Sequence, residues 1–376
     1  MILRIETLQD ACKDILTAVD SNELSTITET LELIAKDGNM CMNVTNKEYF
    51  VQVDIPVDKD VEMHATVNAN LFLKLIAHTT TDTVELNVVD TNLIVKANGT
   101  YKIPLIYDND TLLKLPEIVI NNVTNEYNIS SEVLKTILNF NSKELTKGTI
   151  SKSVQKLYYV DDKGCITFTN GACVNTFSLE QPVKLLFNNR LVKLFKLFNE
   201  PNVAFTLGFD AISEDIIQTK VRFKSGNITL TAILSCDDKL LASVPVAAIR
   251  GRASGDYPYS ININKEALLQ TISRLLLFNS TLGSSATTVK PYSTFEFGSD
   301  SVTVYDVKKE NNEVINYNNT VLGIEEPYRA ILDLPELKVT LESCSEPYLN
   351  IHFGDGQALV ISRGNISNII PECHIK

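Results

Sequence analysis

The chain predicts an α+β fold made of three tandem copies of one domain, and three observations predict it. Amphipathic helical runs and strand-like runs follow one order: helix, strands, helix, hairpin. That order occurs three times. The first helices open near residues 8, 130 and 264, and the second near 68, 187 and 335. Copies at this spacing are whole domains rather than solenoid turns. The 376-residue chain is 44% hydrophobic and 21% charged, a globular composition able to fill a large core.

In copy one, Leu8, Ala11, Cys12, Ile15 and Val19 recur at three- and four-residue steps and predict a helix over Thr7–Asp20. Strand-like runs follow at Ser25–Ala35, Met40–Val44, Tyr49–Ile55 and Glu62–Val67, with a turn at Lys36-Asp-Gly38. A second helix is expected over Asn68–His78, then a hairpin of Thr83–Val89 and Leu93–Lys96.

Copy two opens with Val133, Leu134, Ile137, Leu138 and Leu145, capped by Ser130 or Ser131. Strands are expected at Lys156–Val160 and Cys165–Thr169 around the turn Asp161-Asp-Lys-Gly164. Its second helix, Phe187–Asn199, is the most informative stretch. At about 100° per residue, Leu191, Leu194, Phe195 and Phe198 share one side. Arg190, Lys193 and Lys196 share the other, with Val192 and Leu197 at the seams. No acid interrupts this cationic face before Glu200, in a chain of net charge -12. Strand-like runs Val203–Phe209, Val221–Phe223 and Ile228–Leu234 follow.

Copy three opens with Leu268, Ile272, Leu275 and Leu276. Strands are expected at Thr294–Phe297 and Val302–Val307, then a helix over Pro335–Ser343 with its proline in the tolerated first turn. Tyr348–Phe353 and Leu359–Ser362 close the copy around Gly354-Asp-Gly356. Joints between copies fall in Pro116–Tyr127 and Arg250–Tyr259. The expected domains are 1–122, 123–256 and 257–376.

Composition narrows the function. The seven cysteines (Cys12, Cys41, Cys165, Cys173, Cys236, Cys344 and Cys373) include no CxxC pair and read as thiols in a reducing cytosol. The N-terminal residues hold no apolar signal core, and no run reaches the length of a membrane span. A pI near 4.9 argues against coating nucleic acid with the whole surface, though not against a local basic patch. His64, His78, His352 and His374 sit in no metal-ligand spacing, so neither metal nor cofactor is expected. Gly251-Arg-Ala-Ser-Gly255 lacks the Lys-Ser/Thr ending of a phosphate loop and reads as a linker. Asp161/Asp162 and Asp237/Asp238 occupy turn-like places, and no nucleophile elbow occurs. Catalysis has no visible carrier.

Three local features in order, on the threefold plan, resemble the bacterial DNA polymerase III beta subunit, the sliding clamp. Val154–Thr169 followed by Asn170-Gly171 is similar to that family's central-domain strand ending in Thr-Asp-Gly-His-Arg-Leu. Gly255-Asp-Tyr-Pro258 is similar to its Gly-Arg-Phe-Pro, and Ile369-Ile-Pro371 to its terminal Val-Met-Pro. The Asn/Lys/Ile-rich composition fits a divergent, phage-encoded member.

The resemblance implies a ring with helices inside and sheets outside, two chains closing head to tail around double-stranded DNA. It implies a non-enzymatic processivity factor in the bacterial or host cytoplasm, serving a replicative polymerase and opened by a clamp-loader ATPase. The implied DNA-facing cations are Arg190, Lys193, Lys196, Lys135, Lys143, Lys147, Lys74 and Arg274. Domain one offers little more than Lys74, with Lys13 set against Asp10 and Asp14. A partner-peptide pocket is implied at Val154, Thr169, Gly171, Ala172, Cys173, Val174, Pro258, Asn262, Ile263, Ile369, Ile370 and Pro371. Ala172, Cys173 and Asn262 stand where the family carries His, Arg and Arg, so its peptide preference is expected to differ. Leu277 and Phe278 match the subunit joint, with its counterpart expected near His78 and Thr83–Val89. Two rivals remain: an acidic interaction scaffold that does not encircle DNA, and an enzyme whose residues converge only in three dimensions.

Overall fold

The computed structural model describes residues 1–19, 26–140, 157–168, 171–181, 183–213, 216–234, 241–280, 292–306 and 308–373. Lys143, Lys147, Val154 and Thr169 lie outside them. Two compact units emerge: Met1–Leu138 with Arg190–Asp237, and Asn139–Asn189 with Asp238–Lys376.

In chain order, one ten-element pattern recurs. The first set is β1 (Ile2–Arg4), α1 (Ile5–Ala18), β2 (Thr30–Lys36), β3 (Asn39–Thr45), β4 (Tyr49–Pro56), β5 (Met63–Asn68), α2 (Ala69–Ala77), β6 (Thr83–Val89), β7 (Asn92–Lys96) and β8 (Thr100–Pro104). A small ribbon, β9 (Tyr107–Asp108) and β10 (Thr111–Leu112), follows. The second set is β11 (Val123–Ser130), α3 (Ser131–Asn139), β12 (Leu157–Asp161), β13 (Gly164–Phe168), β14 (Ala172–Thr176), β15 (Lys184–Asn188), α4 (Asn189–Lys193), β16 (Asn202–Ser213), β17 (Ile216–Ser225) and β18 (Ile228–Leu234). After α5 (Val246–Ala253) comes the third: β19 (Tyr259–Asn264), α6 (Lys265–Ser280), β20 (Tyr292–Phe297), β21 (Ser301–Tyr305), β22 (Asn312–Asn316), β23 (Tyr328–Asp333), α7 (Leu334–Ser343), β24 (Tyr348–Phe353), β25 (Ala358–Arg363) and β26 (Ile366–Pro371).

Each set is strand–helix–three strands, twice, and the lead strands are exchanged. β1 pairs with β6 and β5 with β2; β11 with β16 and β15 with β12; β19 with β24 and β23 with β20. Every result is a four-stranded antiparallel sheet with a lead strand at one edge and a meander running to the other. The meanders end at β4, β8, β14, β18, β22 and β26. β18 joins β4 to make one eight-stranded sheet, and β14 joins β26 to make a second. β8 and β22 remain the outer strands of their four-stranded sheets.

In the first unit, α1 buries Ile5, Leu8, Ala11, Cys12, Ile15 and Ala18, the face its periodicity predicts. It packs on α2, β3 and β4. The Tyr49 hydroxyl on β4 donates to the Ala18 carbonyl at 2.8 Å, tying helix to sheet and satisfying a helix-end acceptor. α2 starts where Asn68 accepts from the Leu71 N–H at 2.9 Å, a cap contributing about 1 kcal/mol.

The expected helix over Phe187–Asn199 divides. Lys184–Asn188 is strand β15, with Leu185, Leu186 and Phe187 all buried. One α-turn follows, then a 3-10 turn over Leu194–Leu197. Val192 and Leu197, expected at the seams, are buried with the rest of the apolar face. Beneath the turn, Phe195 and Phe198 lie 5.2 and 5.9 Å, ring to ring, from Phe223, itself 5.1 Å from Phe205. Each such buried ring contributes about 1.5–3 kcal/mol.

One polar latch fastens the β11 end of the same sheet. Asp210 accepts from the N–H groups of Asn121 at 3.1 Å and Asn122 at 2.9 Å. Lys220 donates to it at 2.8 Å and also reaches the Val119 carbonyl at 2.7 Å.

In the second unit, α6 and α7 pack together beside β19, β22 and β23. Asp333 caps α7 by accepting from the Glu336 N–H at 3.1 Å, with Pro335 in the first turn. The stretch expected as a linker, Arg250–Tyr259, begins inside α5, which lies on β14, β25 and β26. No helix among the described residues is long and apolar enough to cross a membrane.

Asp210→Ala removes the acceptor shared by two backbone N–H groups and the half-buried Lys220 ammonium. The expected cost is about 2–3 kcal/mol, read by urea unfolding at pH 7. The Lys220 ammonium, then the Asn121 and Asn122 N–H groups, hold the Asp210 carboxyl below the usual aspartate range. Its contribution is therefore complete above that range and fades as pH falls through the lowered value. The variant should show a shallower acid limb than the parent.

Candidate nucleic-acid interface and joining edges

The cations of the α4 region are presented as a row. Arg190, Lys193 and Lys196 are all exposed while Leu191, Val192, Leu194, Phe195, Leu197 and Phe198 are buried. Residues three apart eclipse in 3-10 winding, whereas α winding would fan them around the axis. Lys193 and Lys196 thus stand in line, with Arg190 one turn before them. In the same unit Lys74 is exposed on α2 and Lys135 is half-buried on α3. α1 packs beside the 3-10 turn and breaks the positive field. There Lys13 is held by Asp10 at 2.8 Å, and Asp14, pushed up by burial and then by Asp10, adds a second acid.

Arg274, expected to face DNA, is already engaged. Its Nε donates to Glu313 Oε1 at 2.7 Å and its Nη2 to Oε2 at 2.5 Å. The Thr271 hydroxyl adds a bond to Oε2 at 2.8 Å. Arg274 holds the Glu313 carboxyl below the usual glutamate range.

Register sorts the expected pocket residues. Cross-strand partners share a face, and alternate residues on a strand point opposite ways. Asp161, Gly164 and Thr176 are in register, as are Phe168, Ala172, Ile369 and Val360. This sets Ala172, Val174, Ile369, Pro371 and Asn262 on the side that carries Asp161, where α5 docks. Cys173, Ile263 and Ile370 fall on the opposite face and are buried in the core. Ala172 and Val174, on the Asp161 side, are buried as well. Gly171 stays at the junction, and Pro258 lies against Gly354.

The sequence reading missed the helix that builds this face. On α5, Arg250 makes two bonds to Asp161, at 2.7 and 2.5 Å. Arg252 binds Asp355 and Gln357, and the Tyr257 hydroxyl donates to the Arg252 carbonyl at 2.9 Å. Burial alone raises the Asp161 carboxyl, but Arg250 and the Lys163 N–H bring it below its ordinary range. Tyr159 beside it is pushed up to about 12 by burial and then by Asp161. An open groove of about 1050 Å³ runs between α5 and Tyr159, Asp161, Lys163 and Lys184. Two arginines in a stretch read as a linker were the available signal. Among the described residues, no group of three or more His, Cys, Asp or Glu gathers as a metal site.

The joining edges are the other feature. β8 is exposed along most of its length, including Tyr101 and Lys102, and so is β22, with Val314 60% exposed. On α6, Leu277 is 65% and Phe278 49% exposed. The counterpart expected at Thr83–Val89 is corrected by the pairing: β6 is enclosed between β1 and β7. Its sheet presents β8 instead.

No protein-family model matches the chain, and no curated protein sequence does. Solved structures match it end to end. The DNA polymerase sliding clamp from Bacillus subtilis gives a TM-score of 0.72 at 15% identity, covering 100% of this chain and 99% of that one. The DNA polymerase III subunit beta from Pseudomonas aeruginosa gives 0.77 at 12% identity, covering 100% of both. The beta subunit from DNA polymerase of Streptococcus pyogenes gives 0.75 at 12% identity, covering 100% and 99%. The chain has the sliding-clamp fold.

Within this sliding-clamp fold, Gly171 is sterically required where β14 meets β26. A Cβ there would sit 1.9 Å from the Ile369 carbonyl oxygen, whereas one at Gly251 in α5 would meet nothing within 4 Å. Gly171→Ala should lose about 1–3 kcal/mol. Gly251→Ala should gain about 0.5–1 kcal/mol from helix propensity. Paired chemical denaturation curves read both.

Proposed function

We propose that this protein is a DNA sliding clamp: a non-catalytic processivity factor that encircles duplex DNA and tethers a polymerase. The observation carrying the reading is the edge count. Six meander edges arise, four are joined within the chain, and β8 and β22 remain. One belongs to the first set of ten elements and the other to the last. Both within-chain junctions join a second-half meander to a first-half meander of the preceding set. β8 ends a second-half meander and β22 a first-half one, so the same rule joins β8 of one copy to β22 of another. Applied around a closed assembly, it makes a head-to-tail ring, here a homodimer of three-domain chains (1–122, 123–256 and 257–376).

Helices then line the bore. Its pull on DNA comes from Arg190, Lys193, Lys196, Lys74 and Lys135, with Lys143 and Lys147 assigned by sequence alone. Such contacts reach phosphates and read no base, which permits sliding. With Arg274 engaged by Glu313, domain two carries most of the pull. The outer face of Gly171, Ala172, Val174, Ile369 and Pro371, bordered by α5, is the surface for partner peptides. Polymerase and a loader ATPase acting in trans are the partners this reading calls for.

Three results test it. Protein loaded on closed circular DNA should be retained and should be released on linearisation; equal loss from both forms removes encirclement. Lys193→Gln with Lys196→Gln should lower the slope of log affinity against log salt by about 2 on a short duplex. An unchanged slope takes these residues off the DNA. Leu277→Ala with Phe278→Ala should raise the dimer dissociation constant at least tenfold in sedimentation, about 1.4 kcal/mol. An unaltered dimer assigns them to the fold of domain three.

A further inference from the structure

We propose that the Arg274–Glu313 pair is a clasp that holds edge strand β22 in position for joining a second copy of this chain, rather than a DNA contact. The inference rests on the ring reading and adds a positioning device to it.

Several observations converge on this pair. β22 is an edge strand of five residues with one strand neighbour, β21. A short edge has half the ladder bonds of an interior strand and needs other ties to stay extended. Its turn is tied by Asp306, which accepts from Asn311 Nδ2 at 2.6 Å and from the Glu310 N–H at 2.9 Å. Along the strand, Glu313 is gripped by Arg274 and Thr271 of α6. Two parallel N–H···O bonds from a planar guanidinium fix orientation as well as distance.

The pair also sits beside the exposed apolar end of α6. Thr271, Arg274, Leu277 and Phe278 follow three- and four-residue steps and share a helix face. Positioning β22 against that face sets it relative to Leu277 and Phe278 at once.

A comparison within the chain isolates what is special here. β4 occupies the place in the first set that β22 occupies in the third, and α1 the place of α6. There the tie between helix and edge strand is neutral and buried: Tyr49 to the Ala18 carbonyl. That edge is permanently joined to β18. At the edge left for another copy, the tie is ionic and exposed, with Arg274 at 53% and Glu313 at 29%. Exposed ion pairs add little to folding stability and weaken with salt. A clasp of this kind makes the joining edge responsive to conditions while leaving the domain folded. Across the expected joint, β8 presents Lys102, and β22 follows Glu310, both exposed.

The test uses the full chain with four variants: Arg274→Ala, Glu313→Gln, the exchange Arg274→Glu with Glu313→Arg, and Lys338→Ala as a control cation on α7. Sedimentation gives the dimer dissociation constant at low and high salt, urea unfolding the fold, and anisotropy the affinity for a short duplex. Arg274→Ala and Glu313→Gln should each weaken the dimer tenfold or more at low salt and flatten its salt dependence, whereas Lys338→Ala should leave both unchanged. The exchange should recover to within about threefold, with unfolding midpoints and duplex affinity near those of the parent. If the parent associates but the single variants associate equally well, or the exchange fails to recover, the clasp is overturned and the ring reading stands. Reduced duplex affinity with an unchanged dimer returns Arg274 to the DNA surface and also overturns it. A parent that stays monomeric at every concentration overturns the ring reading itself.

Discussion

Edge satisfaction governs this molecule. A β-strand at the border of a sheet exposes a row of N–H and C=O groups that pair with whatever strand they meet. Among the described residues the three sets make six four-stranded arrays, each with one meander edge, and four of those edges close in two junctions that give the two eight-stranded sheets. Gly171 shows how tightly one junction is drawn, since a single added carbon there collides with the backbone across it. Exchange of lead strands ties the two half-sets of each set to one another through their sheets. What is left over at β8 and β22 follows from the same arithmetic. The ring reading is that arithmetic carried one step past the end of the chain.

Charge is organised to suit such a body. A net charge of -12 disfavours indiscriminate hold on nucleic acid by the surface as a whole. Against it, a short 3-10 turn lifts two lysines into register over a floor of four phenylalanines. The rigidity comes from the floor, and the attraction from the row above it. Elsewhere cations are engaged by acids of their own unit: Lys220 by Asp210, Arg250 by Asp161, and Arg274 by Glu313. Counting lysines and arginines without their partners overstates the basic surface.

Much of the fold was legible in the sequence because amphipathic helices announce themselves. The α1 face read from Leu8, Ala11, Cys12 and Ile15 is the buried face, and α2 and α7 lie within one residue of their expected bounds. Hairpin partners such as β6 with β7 and β12 with β13 were legible from their turns, but the partners of the lead strands were not. The exchange of β1 and β5 between half-sets is a long-range choice that no local pattern encodes. Phe187–Asn199 looked helical throughout because its apolar spacing fits a helix, yet Leu185, Leu186 and Phe187 are drawn into a sheet by β12. Cys173, Ile263 and Ile370 alternate with Ala172, Asn262 and Ile369 because neighbours along a strand point to opposite faces. The engagement of Arg274 was not legible because its partner Glu313 lies 39 residues away on another element. α5 was hidden by its glycine and by a weak apolar pattern, and two tertiary ion pairs make it a helix.

The central claim is topological, and covalent closure tests it most directly. Cysteines placed at Tyr101 in β8 and Val314 in β22, with Cys41, Cys236 and Cys373 changed to serine, can be bridged by a short thiol cross-linker after loading on closed circular DNA. The account predicts a species that stays linked to the circle in denaturing detergent and comes free when the DNA is cut. Cross-linked protein that detergent strips from intact circles, or no cross-linking between these strands, would contradict it.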